Sequence, residues 1–150
     1  MPRIIVGGTA VWRWALAAVV VFGLAGCGGV SREGVLVHAT AGPGNSHRLL
    51  MALRMADLMS EEGARDVIVY CDIDAVHALV KTAPDVALAP FPTLDELLGR
   101  LSKRGVRVMA CPSCLLSAGL GEKDLREGVT VAEKDAFFSF TKGRILTLDY

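Results

Sequence analysis

The stretch VRVMACPSCLLSAGLG, residues 106–121, decides the fold. Its first half is apolar and β-branched and ends at Cys111; its second half begins with Pro112. Proline suits the first position of a helix, where its missing N–H would have had no partner. A strand running straight into a helix is half of a strand–helix–strand unit, and such units build parallel sheets.

Working outward, the same alternation recurs. GVLVHATAG (34–42) reads as a first strand, closed by Gly-Pro-Gly. NSHRLLMALRMADLMSEEG (45–63) places Leu49, Ala52, Leu53, Ala56 and Met59 on one helical face, with Asn45 or Ser46 as the N-cap and Gly63 as the stop. DVIVYCD (66–72) is nearly all apolar, as expected of a parallel strand covered on both faces. A short helix (73–81) and a proline-broken loop (82–92) follow. TLDELLGRLSKRG then carries a capping box, Thr93 with Glu96, and a stripe of Leu94, Leu97, Leu98 and Leu101. Beyond residue 121 come a polar connection, a brief strand VTVA, a helix EKDAFFSFTKG and a last strand RILTLDY. The expected object is an open, mainly parallel α/β sheet of about five strands with helices on both faces. Sites in such sheets lie at the carboxyl ends of the strands.

The N-terminus reads as an export signal. Arg3 and Arg13 precede and flank the apolar run WALAAVVVFGLAG, which stops at Leu24–Cys27, a small-residue cleavage site resembling a bacterial lipobox. The run is short for a spanning helix. We expect residues 1–26 to be a signal peptide, Cys27 to be lipidated, 27–34 to be a linker and 35–150 to be the folded domain. Two acyl chains on Cys27 would suffice to hold the protein at the membrane, on the extracytoplasmic side of a bacterial envelope. Losing 1–26 removes two of 16 basic residues and no acid, leaving a net charge of −2. With no basic run and few aromatics, nucleic acid is not an expected partner.

Three cysteines remain beside Cys27. Cys111 ends a strand and would cap the helix that Pro112 begins, so backbone N–H groups would favour its thiolate. Cys114 lies one turn on, within reach of a disulfide. The competing reading is a structural or inert pair. Cys71, at the end of the second strand, is either a buried strand residue or a resolving thiol. One CxxC without a second pair argues against zinc, and neither a resident metal nor a cofactor is expected. Copper(I) on Cys71, Cys111 and Cys114 is the chemical alternative. The loop residues Gly44, Asn45 and Ser46, with His47, form a weak anion-binding candidate against a plain helix cap. His38, between apolar neighbours, reads as a satisfied core histidine, and His77 carries no signal.

The stretches TAGPGNSHRLLMALRMA, YCDIDAVHAL, TLDELLGRLSKRGVRVMAC and CPSCLLSAGL with DLREGVTVA together resemble the DsrE/DsrF-like sulfur-relay family, which includes the TusD-type subunits, over residues 35–150. The resemblance implies a flavodoxin-like fold, assembly into trimers or hexamers, and a persulfide-carrying cysteine matching Cys111, with Cys114 as the second thiol of a CPxC branch. Relay members of that family work in the cytoplasm, whereas the N-terminus of this chain reads as an export signal. The resemblance therefore implies cysteine chemistry with a different, unidentified sulfur or thiol partner. A non-enzymatic scaffold remains the other outcome.

Overall fold

The computed structural model describes residues 32–61, 63 and 65–150; the expected signal peptide, Cys27 and most of the expected linker lie outside them. Five parallel strands form one sheet: β1 (Glu33–Ala39), β2 (Arg65–Cys71), β3 (Arg107–Ala110), β4 (Val129–Val131) and β5 (Ile145–Asp149), in the order β4-β3-β2-β1-β5. Every neighbouring pair is parallel. The helices are α1 (Ser46–Glu61), α2 (Leu94–Lys103), α3 (Pro112–Ser117) and α4 (Lys134–Ser139), and the expected short helix after β2 is a 3-10 helix, Ile73–Ala78.

Topology sets the layers. The steps β1 to β2 to β3 to β4 all move one way across the sheet, and right-handed crossovers put their helices on one face. The return from β4 to β5 crosses back to the far edge, so α4 lies on the opposite face. Side chains along each strand alternate between the faces. Val35, Val37, Val69, Cys71, Val108 and Ala110 point to the first face and form a buried core with Leu49, Leu53, Leu97 and Leu101. Tyr70 points to the second, where its ring meets Phe137 of α4 edge-on at 4.9 Å. That second face is thinly covered: α4 has six residues, and Phe138 and Ile145 stay exposed.

Two polar devices hold the first layer together. Asp57 of α1 is fully buried and meets the guanidiniums of Arg54 and Arg104, with Arg100 at 3.6 Å, so one carboxylate ties α1 to α2. Arg126 donates to the carbonyls of Ala78 (3.0 Å) and Pro84 (3.0 Å) and pairs with Asp95 (2.5 Å), pinning the proline-broken loop against α2. The capping box at Thr93 forms as expected, Glu96 N–H donating to Thr93 Oγ1 at 3.3 Å and Thr93 N–H to Glu96 Oε2 at 3.1 Å. Among the described residues no helix is long and apolar enough to cross a membrane.

Candidate functional site

The carboxyl edge of the sheet gathers the ends of β2 and β3. Cys111 N–H donates to the Cys71 carbonyl at 2.8 Å, the last rung of the β2–β3 ladder. The chain then turns directly into α3 with Cys111 as N-cap and Pro112 in the first turn. Cys111 Sγ accepts the N–H of Cys114 at 3.4 Å, so the sulfur occupies the place a serine or aspartate oxygen usually fills. Cys114 Sγ in turn accepts the N–H of Ile73 at 3.2 Å. Ile73 stands at φ 49°, a left-handed conformation that a β-branched residue rarely adopts. Such strain, about 1–3 kcal/mol, persists where surrounding contacts demand it. Here it aims a backbone donor at a sulfur.

The two thiols are electrostatically distinct. Burial works against charge on Cys111, but hydrogen bonds from the Tyr70 side chain, the Cys114 N–H, the Cys114 thiol and the Ser113 N–H outweigh it and lower its pKa. Cys114 is shifted upward, first because its thiol hydrogen bonds to Cys111; the Ile73 N–H acts the other way. Cys111 is thus the more acidic thiol of the pair and Cys114 the less acidic. Both are free and partly exposed. Tyr70 is held protonated, by burial first and then by its bond to Cys111.

Cys71 does not join them. It faces the core layer, on the side of the sheet away from Tyr70, and is fully buried. Burial, with the nearby Asp72 charge, pushes its thiol up to about 12. The copper(I) alternative needs all three sulfurs to converge, and among the described residues no group of three or more His, Cys, Asp or Glu is placed to hold a metal ion. In the Gly-Pro-Gly loop, Asn45 Oδ1 accepts the Arg48 N–H (3.2 Å) and Ser46 Oγ donates to the Pro43 carbonyl (3.1 Å), so both side chains serve local capping. His47 leans on Phe91 at 5.4 Å between ring centroids, while Gly44 and Asn45 line a cleft of about 620 Å³ with Arg48.

His38 corrects its sequence reading. It is not a satisfied core residue: its side chain is 28% exposed, Nδ1 bonds Asp149 Oδ1 at 2.9 Å, and Nε2 lies 3.0 Å from Asp72 Oδ1. The Asp72 approach is a charge contact rather than an aligned hydrogen bond, leaving both atoms buried without a bonding partner. Burial lowers the His38 pKa, the two carboxylates outweigh it, and the net direction is up. The imidazole stacks on Tyr70 at 5.6 Å and 28°. Tyr70 and this acidic-histidine cluster are what sequence reasoning missed. The one signal for them is an amphipathic ring at a strand's carboxyl end, adjacent in register to the cysteine motif.

Ile73 and Leu116 flank the cysteine motif and are 60% and 80% exposed, so the approach to the thiols is apolar surface. Likeness to known proteins places the chain that carries this site. A solved structure, the YchN protein of E. coli, superposes with a TM-score of 0.61 at 22% identity, covering 78% of this chain and 99% of that one. The MTH1491 protein of Methanobacterium thermoautotrophicum, of unknown function, gives 0.52 at 20% identity, with the same coverage. At these identities they attest the fold. Among curated proteins, the uncharacterized MJ0760 of Methanocaldococcus jannaschii is 27% identical over 101 residues, 67% of this chain but 37% of that protein's length. A model of the DsrE/DsrF-like family matches residues 34–142. The chain belongs to the DsrE/DsrF-like family.

Proposed function

We propose that Cys111 is a nucleophilic sulfur carrier, taking a sulfane sulfur as a persulfide and passing it on. Sulfur-relay chemistry is consistent with the family in general. The observation that carries the reading here is the asymmetry of the pair: Cys111 Sγ caps α3, accepting the Cys114 N–H at 3.4 Å, and is shifted toward the thiolate, whereas Cys114 is shifted the other way. The Cys111 thiolate attacks the outer sulfur of a donor R–S–SH, forming Cys111–S–SH and releasing R–S⁻. Cys114, kept protonated by its bond to Cys111, does not compete for the donor. Once deprotonated it could attack Cys111 Sγ of the persulfide, giving a Cys111–Cys114 disulfide and HS⁻. The same site would therefore also support thiol–disulfide chemistry.

Two companion proposals concern placement. Anchoring through a diacylated Cys27 rests on the lipobox-like Leu24–Cys27 and predicts a mature N-terminus at Cys27 carrying fatty acid, readable by mass. Homo-oligomerisation, as trimer or hexamer, is supported by the thin second face, where Phe138 is 79% exposed; sedimentation of the full chain tests it. The carrier reading is tested by intact mass of the full chain in detergent after polysulfide exposure and desalting. An added sulfur on the parent, absent from C111S, supports it. No added sulfur overturns it.

A further inference from the structure

Resting on the carrier reading, we infer that the cleft beside the thiol pair binds the amino-acid end of a small amino-thiol persulfide, cysteine persulfide being the simplest. The cleft holds about 620 Å³ and its wall includes Thr40, Asn45, Arg48, Ile73, Asp74 and His77. Ile73 connects it to the thiols: the residue that walls the cleft also donates its N–H to Cys114 Sγ at 3.2 Å. The two loops that form the cleft are in direct contact. A Cβ on Gly42 would come within 2.3 Å of the Asp74 carbonyl oxygen, so only glycine permits this approach.

The charges in the cleft are of both signs and do not cancel each other. Among the described residues, the Arg48 guanidinium and the Asp74 carboxylate make no ion pair or side-chain hydrogen bond, whereas Arg54, Arg100, Arg104, Arg126 and Arg144 are all paired with carboxylates. A cation and a carboxylate lining one cleft, unpaired, complement a zwitterion: carboxylate to Arg48, ammonium to Asp74. Guanidinium–carboxylate pairing is also the more directional of the two contacts. An amino acid bearing its sulfane sulfur on a short side chain would present that sulfur toward the Ile73 side of the cleft, where the thiols lie. A simple inorganic anion would leave Asp74 facing like charge. Transfer then follows the balance above: the Cys111 thiolate takes the outer sulfur and the free amino thiolate leaves.

The test measures sulfur loading of the full chain from four donors: the persulfides of cysteine, cysteamine (no carboxylate) and 3-mercaptopropionate (no ammonium), and inorganic polysulfide. Wild type is expected to load about threefold to fivefold faster from cysteine persulfide than from either truncated donor, the scale of exposed charge pairs. R48Q should erase the preference for cysteine persulfide over cysteamine persulfide. D74N should erase the preference over mercaptopropionate persulfide. Equal loading from the three thiol persulfides, or an R48Q effect of the same size on all four donors, overturns this inference while leaving Cys111 a carrier. No loading from any donor, polysulfide included, overturns the carrier reading itself.

Discussion

Replacing Tyr70 with phenylalanine removes one hydroxyl and keeps the ring that packs on His38 and Phe137. The hydroxyl's loss deprives the Cys111 thiolate of a donor, so its pKa rises toward that of an ordinary cysteine. A hydrogen bond to a charged group is worth about 1.5–3 kcal/mol. Cys111 is partly exposed, which favours the low end. About 1.5 kcal/mol corresponds to roughly a tenfold fall in thiolate fraction below the midpoint. A less stabilised thiolate is also more nucleophilic, by about threefold for that change at a Brønsted slope near 0.5. The two effects oppose each other at low pH and only the second survives at high pH. Y70F should therefore be alkylated about threefold more slowly than wild type in acid and about threefold faster in base, so the two profiles cross. The assay is iodoacetamide labelling across pH, followed on the peptide carrying Cys111. Parallel profiles, or superimposed ones, would refute the role of the Tyr70 hydroxyl.

Other perturbations probe the frame around the site. D57A leaves three guanidiniums facing a void where a buried carboxylate stood, and should cost about 3 kcal/mol in urea unfolding; a loss within experimental error would show that the α1–α2 clamp is idle. His38 has a raised folded-state pKa, so its contribution is complete below its ordinary value of 6.5 and disappears as pH rises through the folded value. Stability should fall by up to about 1 kcal/mol across that window, and H38N should flatten the fall. Cys71 lies in the core, so C71A should lose about 1 kcal/mol of stability. Its sulfur loading at Cys111 should persist, and loss of loading in a folded C71A protein would show that Cys71 takes part in the loading step.

Much of the fold and the core of the site are legible in the sequence. The alternation of strand and helix, the Thr93–Glu96 capping box and the Cys111-Pro112 junction are local signals, and each appears where the sequence places it. Cys111 as an N-cap follows from two adjacent residues and needs no tertiary information. What is illegible is what distant segments bring together. Asp149 reaches His38 across 111 positions of sequence because β5 returns to pair with β1, an order that periodicity alone does not reveal. Tyr70 reads as one more apolar strand residue, since only the alternation of faces shows that it leaves the core and turns toward Cys111. The same alternation sends Cys71, its neighbour, the opposite way. Arg48 and Asp74 share a cleft because Gly42 lets two loops touch, a contact no spacing rule contains.

The central claim is that Cys111 alone takes the sulfur. Tandem mass spectrometry of peptides from the full chain, loaded with isotopically labelled sulfur and capped with a persulfide-trapping alkylator, tests it most directly. The account predicts label on the peptide carrying Cys111, at Cys111 rather than Cys114, and none at Cys71. Label at Cys114 or Cys71 with Cys111 simply alkylated, or label at none of the three, would contradict it.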